Sequence, residues 1–210
     1  MYEVGIITEY LPGPEGTELR LFVPKANLMR PIVEKEIKTC GILLEDGRTI
    51  SPDQRSKAYA MFKDISEWTG YTRDDTKERM KCEYIIRTGS KEFSLSDCSV
   101  DLARDFISFM LDFALEHGIW LSDLGIDRTD DIDRYLYSCL KHKRCCACGR
   151  DGEVHHEDTI GMGNDRRVLD DSLHKKICLC RKHHSEAHNI GIVEFRKKYK
   201  VYGITFKDSR

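Results

Sequence analysis

Residues 145–157 read Cys-Cys-Ala-Cys-Gly-Arg-Asp-Gly-Glu-Val-His-His-Glu, and residues 178–189 read Cys-Leu-Cys-Arg-Lys-His-His-Ser-Glu-Ala-His-Asn. Cys145 and Cys148 have C-x-x-C spacing, and Gly149 supplies the backbone freedom that turns amides toward the thiolates. Cys180 and His183 form a second half-site of C-x-x-H type. Together the two pairs can close a tetrahedron of three sulfurs and one imidazole, which suits a structural Zn2+ ion. Cys146 and Cys178 stand beside these ligands and could each replace a neighbour. An odd total of nine cysteines with this tight spacing favours metal ligation in a reducing compartment over disulfides.

The histidines make a second set. His155 and His156 are adjacent at an expected strand end, so their side chains face opposite ways. His184 and His188 are spaced i, i+4, and a helix over 181–189 puts both on one face. Asn189-Ile190-Gly191 would end that helix. His155, His184 and His188 then form a three-imidazole site with open coordination positions, the mark of a catalytic metal rather than a structural one. His156 remains as a base.

This order of elements resembles the HNH, or His-Me finger, nucleases. The resemblance rests on Cys-x-x-Cys, then His155-His156, then Leu179-Cys180-x-x-His183-His184-x-x-x-His188. It implies two strands and a helix around one divalent metal (Mg2+, Mn2+, Ni2+ or Zn2+). The first histidine of the pair would ligate it, the second would deprotonate the attacking water, and the helix would supply the other ligands. Two departures stand out. His183 occupies a position that the family usually fills with Cys, and the family's central Asn has no clear counterpart. His174 and Lys175 stand at about that place, making His174 a second catalytic candidate, with Asn164 a weaker one. Between the two expected strands, Arg166 and Arg167 follow a glycine-containing turn and could clamp phosphate, as could Arg181 and Lys182.

The whole chain has 210 residues and a formal net charge of -2, but the balance is uneven. Residues 135–210 carry 16 Lys+Arg against 10 Asp+Glu, a net +6, and residues 1–134 carry -8. The basic end fits a phosphate-binding footprint, with 195–200 as a basic helix face. The expected class is α+β: an N-terminal mixed α/β domain over 1–134, then a small zinc-containing ββα-metal domain over 135–210. The acidic, turn-rich 123–134 segment reads as a linker.

Further upstream, Val4–Ile7 and Leu19–Val23 read as strands on either side of a breaker stretch at 11–16, and Gly41–Leu44 reads as another strand. Ser51, Pro52 and Gln54 open a helix with a capping box, and Thr69-Gly70 closes it. Thr72 opens a short helix to about Lys81. Ser99 opens a third helix whose stripe of Leu102, Phe106, Phe109, Met110 and Phe113 is core, ending at His117-Gly118. Trp68 and Trp120 read as core anchors. No apolar run reaches the ~20 residues of a membrane span, and the first ten residues lack a basic-then-apolar signal pattern. A cytoplasmic chain is expected, in the host cell if phage-encoded.

Residues 1–120 also resemble NinB/Orf-type phage recombination proteins, through 51–55, 68–70 and the segment around 77–84. That resemblance implies a role in phage recombination or replication. Its partners would be DNA (duplex, branched or single-stranded) and a single-stranded-DNA-binding protein, and a homodimer is compatible. The competing reading is a zinc-stabilised DNA-binding mediator without catalysis. A thiol redox protein fits poorly, since its C-x-x-C opens a helix in a βαβ unit, whereas here a second ligand pair follows.

Overall fold

The computed structural model describes residues 5–24, 27–40, 42, 47–157 and 174–206. It is a mixture of helices and two small antiparallel sheets. The first sheet is a hairpin of β1 (Ile6–Gly13) and β2 (Gly16–Phe22). Both strands run into the Pro/Gly segment expected to break them, because Gly13 and Gly16 pair across the turn. A short helix, α1 (Met29–Glu34), follows and was not foreseen. The strand expected at 41–44 lies outside the described residues except for Ile42.

The main core begins with α2 (Pro52–Thr69). Ser51 Oγ accepts from the Gln54 amide at 3.1 Å and Gln54 Oε1 accepts from the Ser51 amide at 3.1 Å, completing the capping box. Next comes α3 (Arg73–Thr88). It outlasts the expected end at Lys81 because Met80 and Tyr84, one turn apart, both bury against the core. Then α4 (Val100–His117), capped by Ser99, buries Phe106, Phe109 and Met110. Tyr84, Phe93, Phe106 and Phe109 pack edge-on or stacked at 5.2–6.3 Å. Burying each such ring contributes roughly 2–3 kcal/mol.

Two expectations fail here. Trp68, in the last turn of α2, and Trp120, in the loop after α4, are half to two-thirds exposed. The presumed linker is folded. It holds α5 (Gly125–Arg128) and the start of α6 (Ile132–Lys141). Arg128 is only 2 % exposed, and its Nη2 meets Asp64 at 3.2 Å and Ser122 Oγ at 2.8 Å. Asp64 also accepts from the Ser122 amide at 3.1 Å. The division at 134/135 therefore falls inside α6, which packs on α4 on one side and on the second sheet on the other. One continuous buried cluster runs from Ile50 to Phe206.

That second sheet has β3 (Glu153–His156), β4 (Lys175–Leu179) and β5 (Ile204–Thr205) in the order β3-β4-β5. After β4 come α7 (Arg181–Ile190) and α8 (Ile192–Tyr199). Strand, strand and helix thus follow one another as β3, β4 and α7. No described helix is long and apolar enough to cross a membrane.

Among the described residues, Asp64→Ala would leave the buried Arg128 guanidinium with Ser122 and the exposed Asp123 as its partners. The expected loss is about 3 kcal/mol, the lower end for a broken buried ion pair. Urea unfolding checks it, and a loss below about 1 kcal/mol contradicts the anchoring role given to this pair.

Candidate metal centres

The knuckle at 143–152 folds back on itself. Arg144 bridges Asp151, the Cys145 amide donates to the Arg150 carbonyl at 2.7 Å, and the Gly149 amide donates to the Cys145 carbonyl at 2.7 Å. Gly149 sits at φ 72°, a left-handed conformation that costs other residues energy. Gly152 lies against β4, where a Cβ would come within 2.8 Å of Cys178 Sγ. The loop can therefore pass this close to the sheet only without a side chain at that position.

The knuckle faces the start of α7. Cys145, Cys148, Cys180 and His183 bring one ligand atom each to within 4.8 Å of one another. Cys148 Sγ and Cys180 Sγ are 3.7 Å apart, and His183 Nδ1 is 3.3 Å from both Cys145 Sγ and Cys180 Sγ. Two sulfurs on a tetrahedral zinc ion lie about 3.8 Å apart, and a sulfur and a nitrogen about 3.5 Å. The donor set fits that ion. It is closed as well: three of the four residues are buried and Cys148 is half-buried.

Burial pushes the Cys145 and Cys148 thiols up. Burial also opposes ionisation of Cys180, yet the His183 and Lys182 amides and the neighbouring thiols outweigh it and bring its pKa below the ordinary value. Cys180 is the N-cap of α7, where amides point at the sulfur. Burial also lowers His183, which keeps its ring neutral and able to ligate. Cys146 and Cys178 lie in the core beside the four-residue cluster and are not part of it. Burial raises both thiols, Cys178 to about 12. Beneath them Tyr135 Oη donates to the Cys146 carbonyl at 3.0 Å, which seats the knuckle on α6.

The second set converges on the other side of α7. Ring centroids of His155 and His184 are 4.6 Å apart, those of His155 and His188 5.0 Å, and those of His184 and His188 4.9 Å. Burial first, then the His184 and His188 charges, hold His155 down to about 4, so it is neutral at pH 7. Exposure rises across the set: His155 is buried, His184 half-buried and His188 exposed. One side of the site is open.

Sequence reasoning missed Glu153. Its Oε1 accepts from His184 Nδ1 at 2.6 Å, which turns the other ring nitrogen away from the carboxylate. Strand alternation could have found it, because Glu153 and His155 are two apart and share a face of β3. Glu157 was missed as well. Its carboxylate is 1 % exposed and pairs with Arg196 of α8.

The opposite face of β3 carries His156. It and His174 are both half-buried, with ring centroids 6.5 Å apart. Arg181 and Lys182 are exposed in the first turn of α7. Arg166, Arg167 and Asn164 lie outside the described residues. The basic face expected at 195–200 is largely spent on carboxylates: Arg196 on Glu157, Lys197 on Glu194 at 2.8 Å, and Lys198 on Glu186 at 2.5 Å.

A family model described as "Putative HNHc nuclease" matches residues 25–209. The chain belongs to this family. The match takes in the helical core and both candidate ligand clusters. No curated protein and no solved structure matches it. The likeness of residues 1–120 to NinB/Orf-type proteins finds no counterpart in these comparisons.

Chelation at pH 7 is expected to lower the thermal midpoint of the protein, because binding energy at a closed site is folding energy. Cys148→Ser should lower it without chelator and reduce the bound metal by one ion per chain. A midpoint indifferent to both changes contradicts the four-ligand site.

Proposed function

We propose that the chain is a metal-dependent DNA endonuclease that hydrolyses phosphodiester bonds. The convergence of His155, His184 and His188 on a site with one exposed side carries this reading, set beside the closed Cys145, Cys148, Cys180 and His183 cluster. A closed four-ligand site has no room for substrate, whereas three ligands and an open side do. A divalent ion held by the three imidazoles (Mg2+, Mn2+, Ni2+ or Zn2+) would supply Lewis-acid charge to the scissile phosphate and the leaving oxygen.

The chain's own residues do the rest. Glu153 orients His184 by accepting a hydrogen bond from its Nδ1, as carboxylates beside metal-bound imidazoles commonly do. His156 accepts, on a ring nitrogen, the proton of the water that attacks phosphorus. His174 stands beside it in the place of the family's central Asn and serves to orient its ring. Arg181 and Lys182 neutralise phosphate charge, and Arg166 and Arg167 join them. The Cys3His cluster holds structural zinc. The substrate is DNA, in duplex, branched or single-stranded form. The resemblance of residues 1–120 supports a setting in phage recombination or replication, with a single-stranded-DNA-binding protein as partner.

One observation favours a second reading, a non-catalytic DNA-binding mediator. The position before β4 holds His174 rather than Asn. Plasmid nicking separates the two. The endonuclease reading expects cleavage that requires added divalent metal and falls at least ~100-fold in His156→Ala. That variant should keep wild-type folding and zinc content. Cleavage equal to wild type in His156→Ala overturns the role of His156. DNA binding without cleavage under any divalent metal points to the mediator.

A further inference from the structure

Far along the chain from the metal centres, α2, α3 and the segment at 94–96 enclose a cavity of about 400 Å3. Its lining brings together Arg55, Lys77 and Lys81, with Glu78 as the one carboxylate. This concentration of positive charge lies within the part of the chain whose net charge is -8. The three cations are poorly neutralised. Lys77 and Lys81 share Glu78 at 3.5 and 3.8 Å, beyond good hydrogen-bond length. Among the described residues Arg55 has no ion pair. Its Nε and Nη2 donate to the Leu95 and Ser96 carbonyls, both at 2.9 Å, so the backbone holds the guanidinium in place while its charge goes uncompensated.

The rest of the lining is chemically distinct. Ser94 and Ser96 offer hydroxyls 2.9 Å apart. Tyr59 is half exposed, and its ring meets the buried Phe62 edge-on at 5.6 Å and 83°. That contact fixes the ring plane. The cavity also exceeds what a bare phosphate needs and falls in the range of small-molecule sites, ~300–1,000 Å3.

We propose that this cavity binds a nucleoside phosphomonoester. Arg55, Lys77 and Lys81 take the phosphate, Ser94 and Ser96 donate to it, and the Tyr59 ring lies against the base. Both a free nucleotide and the 5′-phosphate end of a DNA strand carry this chemistry.

Calorimetric titration of the full chain, without added divalent metal, tests the assignment. Deoxyadenosine 5′-monophosphate is expected to bind at least ~10-fold tighter than deoxyadenosine and than inorganic phosphate. The double variant Lys77→Met/Lys81→Met should weaken it ~10-fold or more while the thermal midpoint holds, since these lysines anchor no backbone and Arg55 is kept. Tyr59→Ala should weaken the nucleotide but not inorganic phosphate. Competition by a 5′-phosphorylated oligonucleotide, and not by its 5′-hydroxyl form, supports the site with the strand end as its ligand. Failure of both oligonucleotides to compete supports it with the free nucleotide. Absence of nucleotide binding overturns the proposal. So does nucleoside or inorganic phosphate binding as tightly as the nucleotide, or an affinity unchanged in the lysine double variant.

Discussion

The ββα region depends on the contact between a two-cysteine knuckle and the first turn of one helix. Cys145 and Cys148 come from the loop after α6, and Cys180 and His183 from the β4–α7 junction. The Cys146 amide donates to the Cys178 carbonyl at 3.0 Å, and the four candidate ligand atoms lie within 4.8 Å of one another, so knuckle, β4 and the start of α7 are held as one unit. Consecutive helical residues point about 100° apart. With His183 turned into the knuckle, His184 and His188 turn toward β3 and meet His155. A one-residue slip of α7 would spoil both clusters together. The pair His183-His184 is thus the hinge of the design, each ring assigned to a different centre by helical geometry.

Charge acts through position rather than through totals. The +6 of residues 135–210 suggests a basic surface for a polyanion, yet much of it is consumed internally. Arg196 ties α8 to the buried Glu157 just after β3, Lys198 ties it to Glu186 of α7, and Lys197 pairs with Glu194 within α8. Arg181 and Lys182 stand at the exposed start of α7, Arg181 in a loose 3.8 Å pair with the Glu153 that also holds His184. The acidic part of the chain shows the reverse. Its net charge is -8, but α2 and α3 assemble three cations around one cavity.

What was legible in the sequence was local. The Ser51/Gln54 capping box, the left-handed glycine caps and the two C-x-x ligand pairs are written in residues a few positions apart, and the structure contains them. The convergence of His155 with His184 and His188 followed from strand alternation and helical spacing, two rules that need no tertiary knowledge. What was not legible depends on partners far apart. Asp64 and Arg128 are 64 residues apart, so an acidic, turn-rich segment that looks like a linker proves to be pinned into the core. Glu157 and Arg196 are 39 apart and read from sequence as unrelated surface charges. The exposure of Trp68 and Trp120 was not legible either, because residue type alone does not say whether a last helical turn or the loop after a helix faces the core. The division at 134/135 followed charge, whereas packing carries α6 across it.

Two chemically different candidate metal centres on different faces of one helix are the core of this picture. Anomalous-difference maps test it most directly, one at the zinc edge from crystals as grown and one from crystals soaked in manganese. A zinc peak within bonding distance of Cys145, Cys148, Cys180 and His183 is expected, with a manganese peak among His155, His184 and His188. A structure with no metal at the first cluster, or with manganese bound elsewhere and none among the three histidines, would contradict it.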